Sequence, residues 1–350
     1  MTAQVLEYYA HNADPNTLEK ATHYKYELEI LEQLSNELGY QLKISTTPTD
    51  LSLTSDLYFV RWATSGIFPI LASKIARSPS ILFTGGSEVV LRSDNEIDNY
   101  YLEKPKWKQS LTRLSLQLAT QTFVTSEYLA SDVEEIAGIR PDVLHHFIDT
   151  EKFSPGVPTS LPSSVEQEDY VITISSLNDN HIKRKRLEFL LEVIANSDVV
   201  SNIVMLGIDR GGYNRLVRKT EELDITDQVH FMLNAEIDDK IDALRGARAA
   251  VLPTLHEGFG MAILEALSCG TPIITTPNGS VPEVCGDTVA YTSATDINEF
   301  QDTMDSVWKD QERRNEYSIQ SRKRSVDLFS LSQGFTQYES IISDYLLNNH

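Results

Sequence analysis

The chain has 350 residues, enough for two ordinary domains, with 41% hydrophobic and 23% charged residues, the balance of a soluble globular protein rather than a disordered one. Its 51 acidic residues outnumber 30 basic ones for a net charge of −21, which excludes a broad nucleic-acid-binding surface, because such a surface must attract phosphates. Cys269 and Cys285 stand outside any CxxC or Cys/His spacing, so neither a disulfide framework nor a structural metal site is expected, and a reducing compartment is the default.

Met1–Ala10 has no basic and apolar leader pattern, and apolar runs such as Gly66–Ala72 are far too short to span a bilayer; a cytoplasmic protein is expected, at most at the membrane's cytoplasmic face. Short β-branched and apolar runs alternate with amphipathic stretches, the pattern of an α/β protein with parallel sheets. Strands are predicted near Val5–Tyr9, Leu42–Ser45, Leu57–Arg61, Ile81–Thr84 and Phe123–Thr125. Between the first two, Leu18, Ala21, Tyr24, Leu28, Leu31 and Leu38 share one helical face that Gly39 ends. Ser126 is a good N-cap for a helix over Glu127–Ala137.

Lys104-Pro105-Lys106-Trp107-Lys108 leads into Leu111, Arg113, Leu114 and Leu118. The preferred reading is a core-facing helix with a solvated basic end; the alternative is a basic amphipathic helix in peripheral contact with an anionic membrane. His145-His146 is not read as a metal site, because neighbouring residues on a strand point to opposite faces.

From Ser154 to Glu168 the sequence turns rich in proline and serine, the best linker candidate. A second α/β series follows, with strands over Tyr170–Ser175, Ile203–Gly207, Val229–Leu233, Ala250–Pro253 and Pro272–Thr275. Helices are predicted at about Lys185–Ala195, Tyr213–Leu223, Asp238–Ala247 and Met261–Cys269. The expected organisation is a first domain over 1–155, a linker over 156–168, a second domain over 169–330 and a returning C-terminal helix over 331–350. Doubly wound sheets bind ligands at the carboxyl ends of their strands, so a cleft faced by those ends is the expected site.

The most informative segment is Leu255–Glu283. A strand ending at Pro253 runs through Glu257-Gly258-Phe259-Gly260 into a helix starting at Met261. Glycines there let backbone approach a ligand, and the helix N-terminus favours an anion such as a phosphate. Glu265 sits inside an apolar run, where an ionised carboxylate needs a partner; a ribose diol is one, and a buried structural ion pair is the other reading. Lys183-Arg184-Lys185-Arg186 places four cations in succession at what is predicted to be a helix start, where the dipole opposes them.

Glu257 and Glu265 with seven residues between them, then Ala266, Gly270, Pro272 and Pro282-Glu283, resemble the donor-site signature of the retaining glycosyltransferases of family 4. That family usually reads E-G-F-G-L-P-x-x-E-A-x-A-x-G-x-P, and here Met261-Ala262 replace Leu-Pro. His146 to Pro155 resembles the family's N-G-V-D-x-x-x-F-x-P segment. The resemblance implies the GT-B fold, two Rossmann-like domains facing a cleft, and transfer of a sugar from a nucleoside-diphosphate donor to a saccharide or lipid-linked acceptor. It implies that Glu265 binds the ribose and that Glu257 lies beside the transferred sugar. Gly258, Phe259, Gly260 and Met261 would present backbone to sugar and diphosphate. Lys185, with Lys183 and Arg184, would hold the diphosphate in place of a metal, and no cofactor is implied. Three departures stand out: no Arg in Ser176–Asn180, no Gly-Gly loop after the first strand, and no His near Gly85. They keep open a non-catalytic nucleotide-sugar-binding subunit, or another enzyme of the fold such as a sugar-nucleotide epimerase or a phosphorylase.

Overall fold

The computed structural model describes residues 3–91, 100–161 and 169–346. The chain divides into two compact units, 1–148 with 329–350, and 149–328.

The first unit is built on β1 (Val5–Ala10), β2 (Gln41–Ser45), β3 (Leu57–Arg61), β4 (Ser80–Thr84), β5 (Gln121–Val124) and β6 (Asp142–Val143). They form a parallel sheet in the order β2-β1-β3-β4-β5-β6. Its helices are α1 (Pro15–Lys20), α2 (Thr22–Leu38), α3 (Ile67–Ala76), α4 (Lys106–Leu118) and α5 (Glu127–Ala137). The caps follow from the sequence: Gly39 ends α2 at φ 76°, and Ser126 Oγ accepts from Leu129 N at 3.3 Å at the start of α5.

The second unit carries β7 (Val171–Ile174), β8 (Ile203–Gly207), β9 (Val229–Leu233), β10 (Ala249–Leu252), β11 (Ile273–Thr275) and β12 (Ala290–Tyr291), again parallel, in the order β12-β11-β10-β7-β8-β9. Its helices are α6 (Asp179–Arg184), α7 (Leu187–Asn196), α8 (Tyr213–Glu222), α9 (Ile237–Gly246), α10 (Met261–Cys269), α11 (Val281–Cys285), α12 (Ile297–Lys309) and α13 (Gln311–Phe329). The last helix, α14 (Leu331–Leu346), lies in the first unit, where Tyr338, Ile342 and Leu346 join Leu6, Tyr8, Phe59 and Ile81 in the core.

Strands buried on both faces need apolar residues at nearly every position, as β3 and β8 have. In each sheet the strand order reverses beside the first strand, between β1 and β3 and between β7 and β10. The loops leaving two neighbouring strands then diverge and open a crevice at the carboxyl edge. In the second sheet those loops follow β7 and β10.

Two boundaries differ from the sequence expectation. Residues 149–155, assigned above to the first domain, pack in the second unit: Arg322 Nη1 donates to Thr150 O at 2.7 Å and Phe153 O at 2.9 Å, and Arg245 Nε to Ser154 O at 2.8 Å. The described part of the expected linker is held by the buried Asp242 carboxylate of α9, which accepts from Thr159 N, Thr159 Oγ1 and Ser160 N at 2.6–2.9 Å. The rest of that linker, 162–168, lies outside the described residues, as do 347–350.

Candidate functional site

The loop after β7 enters α6 through Asn178, whose Oδ1 accepts from His181 N at 2.9 Å. Ile182 anchors the helix inward. Here the structure corrects the sequence reading: Lys183, Arg184 and Lys185 end a short helix instead of starting one. Arg186, at φ 52°, breaks the chain before α7 begins at Leu187. The dipole therefore favours these cations, by about 0.3–1 kcal/mol. Arg186 is turned to a structural role, its Nε donating to Ala294 O at 3.1 Å and its guanidinium lying over Phe189.

The loop after β10 runs alongside. Leu255 N donates to Arg184 O at 2.8 Å, and Arg184 Nη1 donates to His256 O at 2.7 Å. This brings Glu257 onto the cations. Arg184 Nη1 is 3.0 Å from Glu257 Oε2, Lys185 Nζ forms an ion pair with Oε1, and Thr254 Oγ1 donates to Oε1 at 3.2 Å. Lys185 and Glu257 are both buried. Burial pushes the Glu257 carboxyl up, but the Arg184 and Lys185 charges outweigh it and hold it well below the usual carboxylate range. Burial lowers the Lys185 ammonium, and Arg184 adds to that against the pull of Glu257. His181 falls to about 4, chiefly by burial and then by Arg184, so it is neutral near pH 7. Lys183 is half-buried and pairs with no carboxylate among the described residues. Arg184 and Lys185 against the one Glu257 carboxylate, with Lys183 next to them in the chain, make a local concentration of positive charge in an acidic protein.

Gly258, Phe259 and Gly260 form the turn into α10. Gly260 holds φ 98°, a left-handed conformation that glycine adopts at little cost, and Met261 opens the helix. Glu265, in the second turn, is buried and pairs with Lys240 Nζ of α9 at 2.9 Å. The carboxylate inside the apolar run thus has a protein partner.

Sequence reasoning missed the loop that fixes the turn. Thr276 Oγ1 and Asn278 Nδ2 (the latter at 2.9 Å) donate to Thr254 O, and Ser280 N donates to Glu257 O at 3.0 Å. Gly279, at φ 65°, passes so close that a Cβ there would lie 2.3 Å from Glu257 O. The Pro-Asn-Gly-Ser turn signal was its only trace in the sequence. Lys240 had no signal at all.

In the first unit, the carboxyl ends of the strands carry a buried network. Arg61 Nη1 pairs with Glu27 Oε1 at 3.1 Å, and Glu27 also accepts from Tyr8 OH at 2.5 Å and Tyr338 OH at 2.7 Å. The Arg61 guanidinium lies 4.3 Å from the Phe83 ring centroid. His23 sits 5.8 Å from His146, and its pKa drops to about 3, by burial and then by Arg61. His145 instead meets Phe329. Among the described residues no cluster of His, Cys, Asp or Glu is arranged to hold a metal ion. Cys269 and Cys285 are buried with thiols pushed up to about 12, which leaves them protonated and unreactive.

Residues 163–324 match the family model of the glycosyl transferases, group 1. This segment is similar to the group 1 glycosyltransferases. The chain is 26% identical over 271 residues to N-acetyl-alpha-D-glucosaminyl L-malate synthase of Bacillus anthracis, covering 75% of this chain and 66% of that protein. It is 28% identical over 202 residues to D-inositol 3-phosphate glycosyltransferase of Mycolicibacterium smegmatis, covering 55% and 45%. The match thus spans two thirds or less of both relatives. Among solved structures, sucrose-phosphate synthase from Thermosynechococcus elongatus superposes with a TM-score of 0.79 at 13% identity, over 99% of this chain and all of that one. Anabaena HepE in complex with UDP and glucose gives 0.76 at 14% identity, over 97% and 100%. The fold is therefore GT-B, shared with these glycosyltransferases well beyond the reach of sequence identity.

Proposed function

We propose that the chain is a retaining glycosyltransferase that moves a sugar from a nucleoside-diphosphate donor to a hydroxyl of a glycan, glycolipid or lipid-linked saccharide. The observation that carries this is the Arg184–Lys185–Glu257 constellation, held beside an α10 that buries Glu265 one turn further on. Lys185 and Arg184, with Lys183, hold the diphosphate, so its charge is met by the protein rather than by a divalent ion, and no cofactor beyond the donor is required. Glu265 takes the ribose hydroxyls, and Glu257 faces the transferred sugar once the diphosphate competes for its cations.

As the glycosidic bond to the leaving phosphate breaks, negative charge grows on the phosphate oxygen next to Lys185. That oxygen takes the acceptor's proton while the acceptor attacks on the same face. Catalysis is then electrostatic preorganisation and positioning. We assign acceptor binding to the polar, aromatic-lined cluster of the first unit, Trp62 and Tyr24 with His23 and His146 around the Arg61–Glu27 pair.

The test is a thermal-shift screen of UDP-, GDP- and ADP-sugars, beginning with UDP-glucose because HepE binds UDP and glucose, followed by turnover with simple glycoside acceptors. A donor stabilises the fold in proportion to its occupancy, and the product keeps the donor's anomeric configuration. An inverted product overturns the retaining mechanism. Donor binding without hydrolysis or transfer, relieved only by a second protein, assigns the chain instead to a nucleotide-sugar-binding subunit.

A further inference from the structure

The first unit carries a surface helix turned inside out. On α4 the inward side chains are Gln109, Thr112, Ser115 and Leu116, whereas Trp107 (60% exposed) and Leu114 (41%) face outward with the half-buried Leu111 and Leu118 in one stripe. This overturns the core-facing helix preferred from the sequence. The polar residues are inside because they bond there: Gln109 Nε2 donates to Leu102 O at 3.1 Å and Lys104 O at 2.8 Å, and the Thr112 hydroxyl meets that of Thr64 at 2.8 Å. The neighbouring α3, which contacts α4, buries Ile67 and Ile70 in the ordinary way but also exposes Phe68, Leu71 and Ile75, the last 68% exposed. Single exposed apolar residues are ordinary, but two adjacent helices presenting their stripes together are not.

Charge accompanies the patch. The segments Ile67–Arg77 and Tyr100–Leu118 hold Lys74, Arg77, Lys104, Lys106, Lys108 and Arg113 with one carboxylate of their own, Glu103, in a chain of net charge −21; the buried Glu88 also faces Lys104, and Asp94, Glu96 and Asp98 lie outside the described residues. On α5, beside α4, the exposed carboxylates of Glu127 and Glu134 pair with Arg140, and Glu135 is exposed as well.

We propose that the outer faces of α3 and α4 form an interfacial surface that seats this unit on an anionic lipid bilayer. Apolar side chains including a tryptophan, ringed by lysine and arginine, match the acyl–headgroup boundary: the stripe enters the apolar layer and the cations meet anionic headgroups. A second copy of the chain fits poorly, since a two-fold contact would set these cations against themselves. The strongly acidic remainder is repelled by the same membrane, so charge also sets the orientation. The surface extends the acceptor assignment above to lipid-borne acceptors, but it stands on its own residues and needs no donor.

The test is sedimentation of the full chain with vesicles of phosphatidylcholine alone or mixed equally with phosphatidylglycerol, without nucleotide. We expect binding to the mixed vesicles only, weakened by added salt. Binding falls on the order of a hundredfold in Lys106→Gln/Lys108→Gln/Arg113→Gln and is lost in Trp107→Ser/Leu114→Ser, with melting temperatures unchanged because all these positions are exposed. The emission of wild type shifts to the blue on mixed vesicles and that of Trp107→Phe does not. Equal binding by wild type and variants, no binding to mixed vesicles, or a wild-type dimer that Trp107→Ser/Leu114→Ser dissolves would each overturn the proposal. Turnover with a soluble acceptor is measured separately, so failure of the donor reading leaves the vesicle result intact.

Discussion

Replacing Glu257 by Gln tests whether the buried cations are an anion site that the carboxylate guards. In the free protein Glu257 pairs with Arg184 and Lys185 from a position only 5% exposed, and Lys185 is 8% exposed. Removing one partner of such a buried pair costs about 3–5 kcal/mol, most of it the penalty of the stranded charge. For a unit spanning 149–328 this corresponds to a fall in melting temperature of roughly 6–20 °C. A nucleoside diphosphate should then return more stability to Glu257→Gln than to wild type, because it takes up the charge the carboxylate left. Wild type at about a hundredfold excess over Kd gains about 2.7 kcal/mol, and the variant's gain should exceed that. The assay is thermal unfolding with and without UDP, GDP and ADP. Glu257→Gln/Lys185→Met removes the more deeply buried cation with the carboxylate, leaving Arg184 bonded to His256 O, and should recover much of the apo stability while losing the extra nucleotide response. The reasoning is refuted if Glu257→Gln melts with wild type, or if nucleotide stabilises it no more than wild type.

Lys185→Ala should lower kcat by about 10²–10³, the usual cost of removing one preorganised charge donor, and wild-type turnover in that variant would remove Lys185 from the diphosphate. Glu265→Ala should raise the donor KM by about tenfold or more with little change in kcat; calorimetry should show pyrophosphate binding unaltered, since it lacks the ribose. Gly279→Ala forces a side chain into a left-handed conformation against Glu257 O, so both melting temperature and donor affinity should fall. For His23 the folded pKa of about 3 lies below the unfolded 6.5. Between those values the unfolded chain binds a proton that the folded one refuses, so stability is lost as pH falls below 6.5, by up to roughly 1.4 kcal/mol per pH unit. His23→Phe should lose less than wild type between pH 7 and pH 4.5 in urea titrations; parallel losses would place the histidine in water.

What was legible in the sequence is what a single local rule decides. The central strands are apolar at consecutive positions because both faces are buried, and β3 and β8 stand where the runs placed them. Gly39 and Ser126 marked helix ends through cap chemistry that needs no tertiary partner. What escaped was decided by partners distant in sequence. The α6 break at Arg186 depends on Ala294 and Phe189, and nothing in Lys183–Arg186 alone shows it. Lys240 meets Glu265 across 25 residues. On α4 the periodicity of Leu111, Leu114 and Leu118 places them in one stripe, as the structure has them, but periodicity gives a face and not its direction.

That inversion and the charge at the donor turn have a common logic. In a chain of net charge −21, a cation costs nothing to leave scattered among carboxylates, where it is neutralised and screened. Here cations are gathered in two places: at the end of α6, where Arg184 and Lys185 pair with Glu257 and Lys183 stands next to them in the chain, and along Ile67–Arg77 and Tyr100–Leu118, where six cations stand with Glu103. The first cluster is buried, small and set beside glycine-rich backbone, which suits a compact dianion. The second is exposed, broad and interleaved with apolar side chains, which suits an extended anionic surface. An acidic remainder sharpens both, because it repels anions everywhere else and leaves each ligand one approach. The two should therefore respond oppositely to ionic strength: vesicle binding should collapse in salt, while nucleotide binding at the buried Lys185 should fall only slightly. Equal salt sensitivity of the two would show that burial does not distinguish them.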